Sequence, residues 1–244
     1  MKNFNVNNTE GPDKMGLNIA NIIAIIIILL SLLACSTEDC EYAECNDECV
    51  IFEDFENTEK GTTGNWIGID VQEIEVRNNG GSNVLYVQDG SGGSWAYNTT
   101  DFPSNLLAQG CDLNYDVQYL AGAINGTTSD NGILIFSGGS DPLSATSRAI
   151  FILNSSNLIT SGGGFLNVTV PLELATGTTL PTNSMGTWYI NGVSNSTPPT
   201  ASDIAAFNTL IQNIDGVAFA IDEGGNPAEQ WWFDNFCFKQ CCGR

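Results

Sequence analysis

The sequence predicts an all-β sandwich carrying one short helix, with an apolar signal or anchor helix ahead of it. Three observations lead there. Short apolar runs recur along the chain, and Gly, Asn, Asp or Pro separates most of them, which is the pattern of strands joined by turns. Leu113–Leu120 alternates strictly, with Leu113, Tyr115, Val117 and Tyr119 on one face, as a half-buried strand requires. The composition is 42% hydrophobic and only 14% charged, with 26 glycines, so the chain can build a core and must cover it with small polar residues.

The first strand is expected at Val50–Phe55. Others follow at Trp66–Ile69, Ile74–Val76, Val84–Val87, Trp95–Tyr97, Leu113–Leu120 and Gly132–Phe136. The last are Ala149–Leu153, Leu166–Val170, Thr187–Ile190, Val217–Ile221 and Trp231–Phe238. One segment, Ser202–Ile214, reads as a helix. Ile204, Phe207, Leu210, Ile211 and Ile214 fall mostly on one side of it, and Ser202 is the expected cap. No internal repeat or second-domain boundary interrupts the pattern, so the domain is expected over residues 50–242.

The N-terminus reads as a targeting segment over residues 1–34. Ile22–Leu33 is almost wholly aliphatic, and Lys2 and Lys14 precede it. An apolar core of about a dozen residues is the size of a signal-peptide core and short for a bilayer span. A stretch from Gly16 to Ala34 is near the lower limit of a spanning helix, so an uncleaved anchor is the other reading. The core ends in Leu32-Leu33-Ala34-Cys35, which resembles a bacterial lipobox and implies lipidation of Cys35. Residues 35–49 form an acidic, cysteine-rich tether. Its Ser36-Thr37-Glu38-Asp39 resembles the surface-export signals of lipoproteins in the Bacteroidetes group. Export to an outer membrane or cell surface is the expectation.

Charge narrows the partners. Seven Lys and Arg face 28 Asp and Glu, for a net charge of −21. A nucleic-acid backbone or an anionic lipid surface would be repelled. Any membrane association is therefore expected through the N-terminal anchor.

The 8 cysteines agree with export. Apart from Cys35 and Cys111 they gather at the two ends of the domain, which in an oxidising compartment reads as disulfides. Zinc is the weaker reading. Cys40, Cys45 and Cys49 lack the Cys-x-x-Cys spacing, and the chain has no histidine.

Motifs near the ends of the domain carry a family resemblance. Phe52-Glu53-Asp54-Phe55-Glu56 followed by Trp66 resembles the start of galactose-binding-like jelly rolls, among them many carbohydrate-binding modules. Trp232-Phe233-Asp234-Asn235-Phe236 resembles their last strand. Trp188, then Pro198-Pro199-Thr200-Ala201-Ser202-Asp203, Phe207, Leu210, Ile214 and Val217–Ile221, is similar in order to the laminin B (laminin IV) domain and its bacterial relatives. The resemblance spans roughly residues 50–238 and implies a jelly-roll sandwich. It further implies a structural Ca²⁺ shared by the first and last strands, with Asp54, Glu56 and Asp234 as ligands and Glu53 as a further candidate. Several carboxylate oxygens are what calcium needs, and strand alternation places Asp54 and Glu56 on one face. Terminal strands that pair antiparallel would also bring Cys49 near Cys237 or Cys241.

Trp95 and Tyr97 are the candidate ligand-binding residues. They follow the loop Gly90-Ser91-Gly92-Gly93-Ser94 and share one strand face, as a stacking platform for a sugar ring would. Core packing is the other use of such rings, and it is expected of Trp66 and Trp188. Trp231 and Trp232 are adjacent and must point to opposite faces.

No enzyme is expected. Without histidine, neither a Ser-His-Asp triad nor a Cys-His pair can form. No phosphate-binding loop or dinucleotide fingerprint is present. Glycoside hydrolysis needs only two facing carboxylates, but acids such as Glu173, Asp222, Glu223 and Glu229 do not define a pair by their number. Two functions remain: a surface lipoprotein module that binds polysaccharide or another glycan, and a structural or adhesive module that binds an extracellular protein.

Overall fold

In the computed structural model, residues 49–90, 92–122, 132–157, 159, 161–222 and 227–240 are described. The apolar segment with Cys35, and also Cys241, lie outside them. Among the described residues no helix is long and apolar enough to cross a membrane.

Twelve strands are found among these residues, one for each run expected from the sequence. They are β1 (Cys49–Glu53), β2 (Trp66–Ile69), β3 (Val71–Asn79), β4 (Ser82–Asp89), β5 (Trp95–Asn98) and β6 (Asp112–Ala121), followed by β7 (Ile133–Ser137), β8 (Ser147–Leu153), β9 (Leu166–Pro171), β10 (Gly186–Ile190), β11 (Gly216–Ala220) and β12 (Gln230–Lys239). They form two sheets, and every pairing is antiparallel. Sheet A has the order β3-β4-β12-β6-β9, with β1 also on β12, and sheet B has the order β10-β8-β7-β11-β5-β2. The arrangement is a β-sandwich.

Alternation decides what fills the sandwich. In β6 the side chains of Leu113, Tyr115, Val117 and Tyr119 are buried, while those between them are not. Tyr115 stacks on Phe236 of β12 at 5.7 Å and meets Phe219 of β11 at 5.1 Å. Trp66 packs on Phe236 at 5.4 Å. Rings from both sheets thus meet in one core. Trp231 is buried in it, while Trp232, its neighbour, is half-buried on the other face.

The helix α1 (Ala201–Leu210) differs from the expected span at both ends. Thr200, not Ser202, caps it. The Thr200 side chain accepts the Asp203 N–H, and the Asp203 carboxylate in turn accepts the Thr200 N–H at 3.0 Å. That reciprocal pair satisfies two orphan donors, whereas a cap at Ser202 satisfies none of them this way. At the other end the chain leaves the helix because neighbouring segments take its backbone. Ile214 N–H donates to the Ser104 carbonyl and Asp215 N–H to that of Phe136. Phe207 packs on Trp188 at 5.5 Å, and the Trp188 indole N–H donates to the Pro171 carbonyl.

The first strand also stops early. It ends at Glu53, and Phe55 takes a φ of +59°, so Asp54 and Glu56 lie in a turn and not on one strand face as expected. The turn drives the Phe55 ring into the core against Phe236, and core burial outweighs continuation of the alternating pattern. β12 has a matching irregularity. Its first half pairs with β4, its second half with β1, and the register to β6 slips between Asp234 and Cys237. Asn235 sits in that bulge with φ +52°, a region asparagine tolerates better than most residues. Beyond it, Cys49, which faces Lys239, is joined by a disulfide to Cys237, which faces Ile51; this is one of the two expected pairings.

Candidate functional site

Sheet B is apolar on both faces. Its inner face supplies Ile133, Ile135, Phe151, Trp188, Val217 and Phe219 to the core. On its outer face, strand register lines up Ile67, Tyr97, Ala218, Leu134, Ile150 and Tyr189 as one cross-strand row, one residue from each of six strands. The outer face of sheet A is different. There a comparable row reads Glu75, Tyr86, Trp232 and Gln118. An antiparallel sheet over a core ordinarily turns a polar face to water, as sheet A largely does. In the row on sheet B, Ala218 and Leu134 are buried, Tyr97, Ile150 and Tyr189 are half-buried and Ile67 is exposed, so this sheet carries a second, partly open apolar layer on its outer side.

This face carries the two sequence candidates. Trp95 and Tyr97 are both half-buried on β5. They pack against Leu134, Phe136, Ala145 and Ala218, a small cluster separate from the main core. Their inner edges are thus held, and their remaining surface is open. Beside them lies a groove of about 460 Å³, lined among others by Trp95, Thr146, Arg148, Ile150, Tyr189 and Asn191. A groove of that size with an apolar floor and a few polar groups has the character of a ligand site. Arg148 is exposed, and its guanidinium reaches back to the Pro142 carbonyl at 3.2 Å. Trp66 and Trp188, expected in the core, are there.

Sequence reasoning singled out Trp95 and Tyr97 and did not name Arg148, Ile150 and Tyr189, which line the groove beside Trp95. A signal was present in Ser147–Leu153. Past Arg148, Ile150 and Ile152 alternate with buried Ala149, Phe151 and Leu153, so the strand is apolar on both sides there. Such a run in an antiparallel sheet is the mark of an outer face that does more than meet solvent.

The acids named for calcium lie near the bulge of β12. Asp234 is 4% exposed, and its Oδ1 accepts the Asn235 N–H at 2.8 Å. Burial, and then the charges of Asp116, Glu56 and Asp54, push its carboxyl up to about 6, against the lowering effect of the Asn235 bond. Glu56 Oε1 accepts from the Ser82 hydroxyl at 2.6 Å and the Asn83 N–H at 2.9 Å, and these bonds hold its carboxyl below the usual range. Asp54 Oδ1 accepts the Glu56 N–H at 3.1 Å. Glu53 Oε1 accepts the Phe55 N–H at 2.9 Å, and burial raises its carboxyl. The turn after β1, rather than a strand face, carries Asp54 and Glu56, whose charges reach Asp234, but these three carboxylates do not gather within 4.8 Å of one another. A tighter group lies elsewhere. Among the described residues, carboxylate oxygens of Asp89, Asp222 and Glu229 all lie within 4.8 Å of one another.

No family model matches the chain, and no curated protein matches it in sequence. Solved structures are similar in fold. An exo-β-agarase aligns with a TM-score of 0.50 at 10% identity, over 80% of this chain and 25% of that one, so the likeness concerns one part of a longer protein. The family 11 carbohydrate-binding module of a cellulosomal cellulase of Clostridium thermocellum aligns with a TM-score of 0.43 at 11% identity, over 79% and 95% of the two chains. The L4b domain of human laminin α-2 aligns with a TM-score of 0.35 at 14% identity, over 64% and 70%. The likeness to the agarase concerns the fold alone, a β-sandwich.

Proposed function

We propose that this protein is a non-enzymatic polysaccharide-binding module and that the outer face of sheet B receives the sugar chain. The observation that supports it is the row of apolar and aromatic side chains across that face, with a groove beside Trp95. Sugar rings present flat C–H faces that lie on aromatic rings, and their hydroxyls suit the donors and acceptors of Thr146, Arg148 and Asn191. A net charge of −21 favours a neutral glycan over an acidic one. The asymmetry between the two outer faces sets the test. A panel of neutral and acidic glycans is screened with the full chain, and the best binder is titrated calorimetrically. The Trp95→Ala variant is expected to bind at least about tenfold more weakly, about 1.4 kcal/mol. Trp232→Ala, on the outer face of the other sheet, is expected to bind like the parent. Binding to no glycan, or equal losses in the two variants, rejects the reading and leaves an adhesive module for an extracellular protein.

In the same reading the module is exported and held at a membrane by lipid on Cys35. Mass spectrometry of the membrane-extracted protein is expected to show an acylated Cys35 at the N-terminus. A chain that still begins at Met1 would indicate an uncleaved anchor instead.

A further inference from the structure

We propose that Asp89, Asp222 and Glu229 form a divalent-cation site, suited to calcium, that ties the end of sheet A to the end of sheet B. Asp89 ends β4 and Glu229 directly precedes β12, both in sheet A, while Asp222 lies just past β11 of sheet B. Their oxygens converge within 4.8 Å. Convergence of acids alone is common at surfaces, but two of these three are not at the surface. Glu229 is 0% exposed and Asp89 is 4% exposed.

Glu229 supplies the independent observation. Both of its carboxylate oxygens are buried, and neither receives a hydrogen bond. A buried acceptor without a donor is costly, and a buried carboxylate beside two others costs more. The donors that do approach go to its neighbours. The Ser94 hydroxyl lies 2.6 Å from Asp89 Oδ1, and the Gly93 N–H donates to Asp222 Oδ2 at 2.6 Å. The group therefore has oxygen ligands oriented and a surplus of negative charge, which a hard cation with several oxygen ligands would balance. The competing balance is a proton held between two of the carboxylates. Burial, and then Asp89 and Asp222, push the Glu229 carboxyl up to about 7.

The location links the site to the sugar-binding face without resting on it. Gly93 and Ser94, which contact the acids, lead directly into Trp95 at the start of β5. Asp234 belongs to a different group. It lies five positions along β12 from Glu229, about 17 Å of extended chain.

The experiment counts calcium. The full chain carrying Asp234→Asn, which removes the other candidate site, is dialysed against buffered Ca²⁺, and bound metal is measured by atomic emission. About one calcium per chain is expected. Adding Glu229→Gln is expected to abolish it, together with the calcium-dependent rise in melting temperature. Asp222→Asn, made on the same Asp234→Asn background at a less buried position, is expected to do the same, and it decides the matter if the Glu229 variant folds poorly. Unchanged calcium content in either added variant overturns the proposal. So does an Asp234→Asn protein that binds no calcium, with a Glu229→Gln change that raises the melting temperature equally with and without metal. That result would identify a shared proton.

Discussion

The paired substitution Cys49→Ser, Cys237→Ser is expected to lower the stability of the domain by about 5 kcal/mol in the chain-entropy model. The disulfide joins residues separated by 188 positions, so it constrains nearly the whole domain in the unfolded state. For a chain of this size the melting temperature should fall on the order of 10–20 °C. Substitution is preferable to reductant because Cys111 is disulfide-bonded as well. The native state should feel the change locally at β1. Among the described residues this strand pairs only with β12, and Val50 and Ile51 are exposed on it. Its main apolar hold is Phe52, stacked on Phe238 at 4.7 Å and edge-on to Phe102 at 5.1 Å. Urea unfolding of parent and variant, compared by midpoint and slope, measures the effect. Equal midpoints would mean that pairing with β12 alone holds the chain ends and that the cross-link adds nothing.

What the sequence conveyed, and what it withheld, divides by the range of the interactions. Period-two alternation is local, so Leu113–Leu120 and the other runs could be read directly as strands. Trp95 and Tyr97 were legible for the same reason, since a glycine-rich loop followed by two rings two residues apart puts both rings on one face. The rest of that face depends on register. Leu134, Ile150 and Tyr189 join Tyr97 only because β11, β7, β8 and β10 pair as they do, and most of those partners are far apart in the chain. Asp89 and Glu229 are likewise neighbours through the pairing of β4 with β12, which no spacing rule anticipates.

The local errors have local causes. Phe52-Glu53-Asp54-Phe55-Glu56 alternates well enough to pass for a continuing strand, yet burial of Phe55 bends the chain at that point. The Thr200 and Ser202 hydroxyls compete for the cap, and the competition is settled by Asp203, which can reciprocate only to Thr200. The acidic residues expected to converge from two strands instead approach from a turn and a bulge. Their oxygens are not among those that gather within 4.8 Å of one another, because the turn at Phe55 takes Asp54 and Glu56 off the strand that was to bring them to Asp234.

The Asp234→Asn substitution is expected to have opposite effects with and without calcium. In excess chelator, Asp234 is a buried carboxylate facing Asp116, Glu56 and Asp54, and its carboxyl is raised from 3.8 to about 6. The folded state then binds a proton more tightly than the unfolded state. The associated stability is complete below about 4, is lost as pH rises through about 6, and is absent at pH 7. The difference amounts to up to about 3 kcal/mol. Asparagine removes the charge, so in chelator at pH 7 the variant should be more stable than the parent by a sizeable part of that amount. It should also show a smaller gain on acidification, the remainder coming from other raised carboxyls such as Glu229. If Asp54, Glu56 and Asp234 hold calcium, the order reverses when the ion is present. A thousandfold excess over the dissociation constant stabilises the parent by about 4.1 kcal/mol, more than the variant's advantage in chelator, and the variant loses that site. Melting curves of both proteins at pH 5 and pH 7, each with calcium and with chelator, contain the whole argument. A crossover supports calcium at the β12 bulge. A variant more stable than the parent under both conditions would show that the strain at Asp234 is real and that no cation relieves it there. A variant less stable in chelator as well would show that the Asn235 N–H bond to the charged carboxylate outweighs its burial, and the repulsion argument would fail.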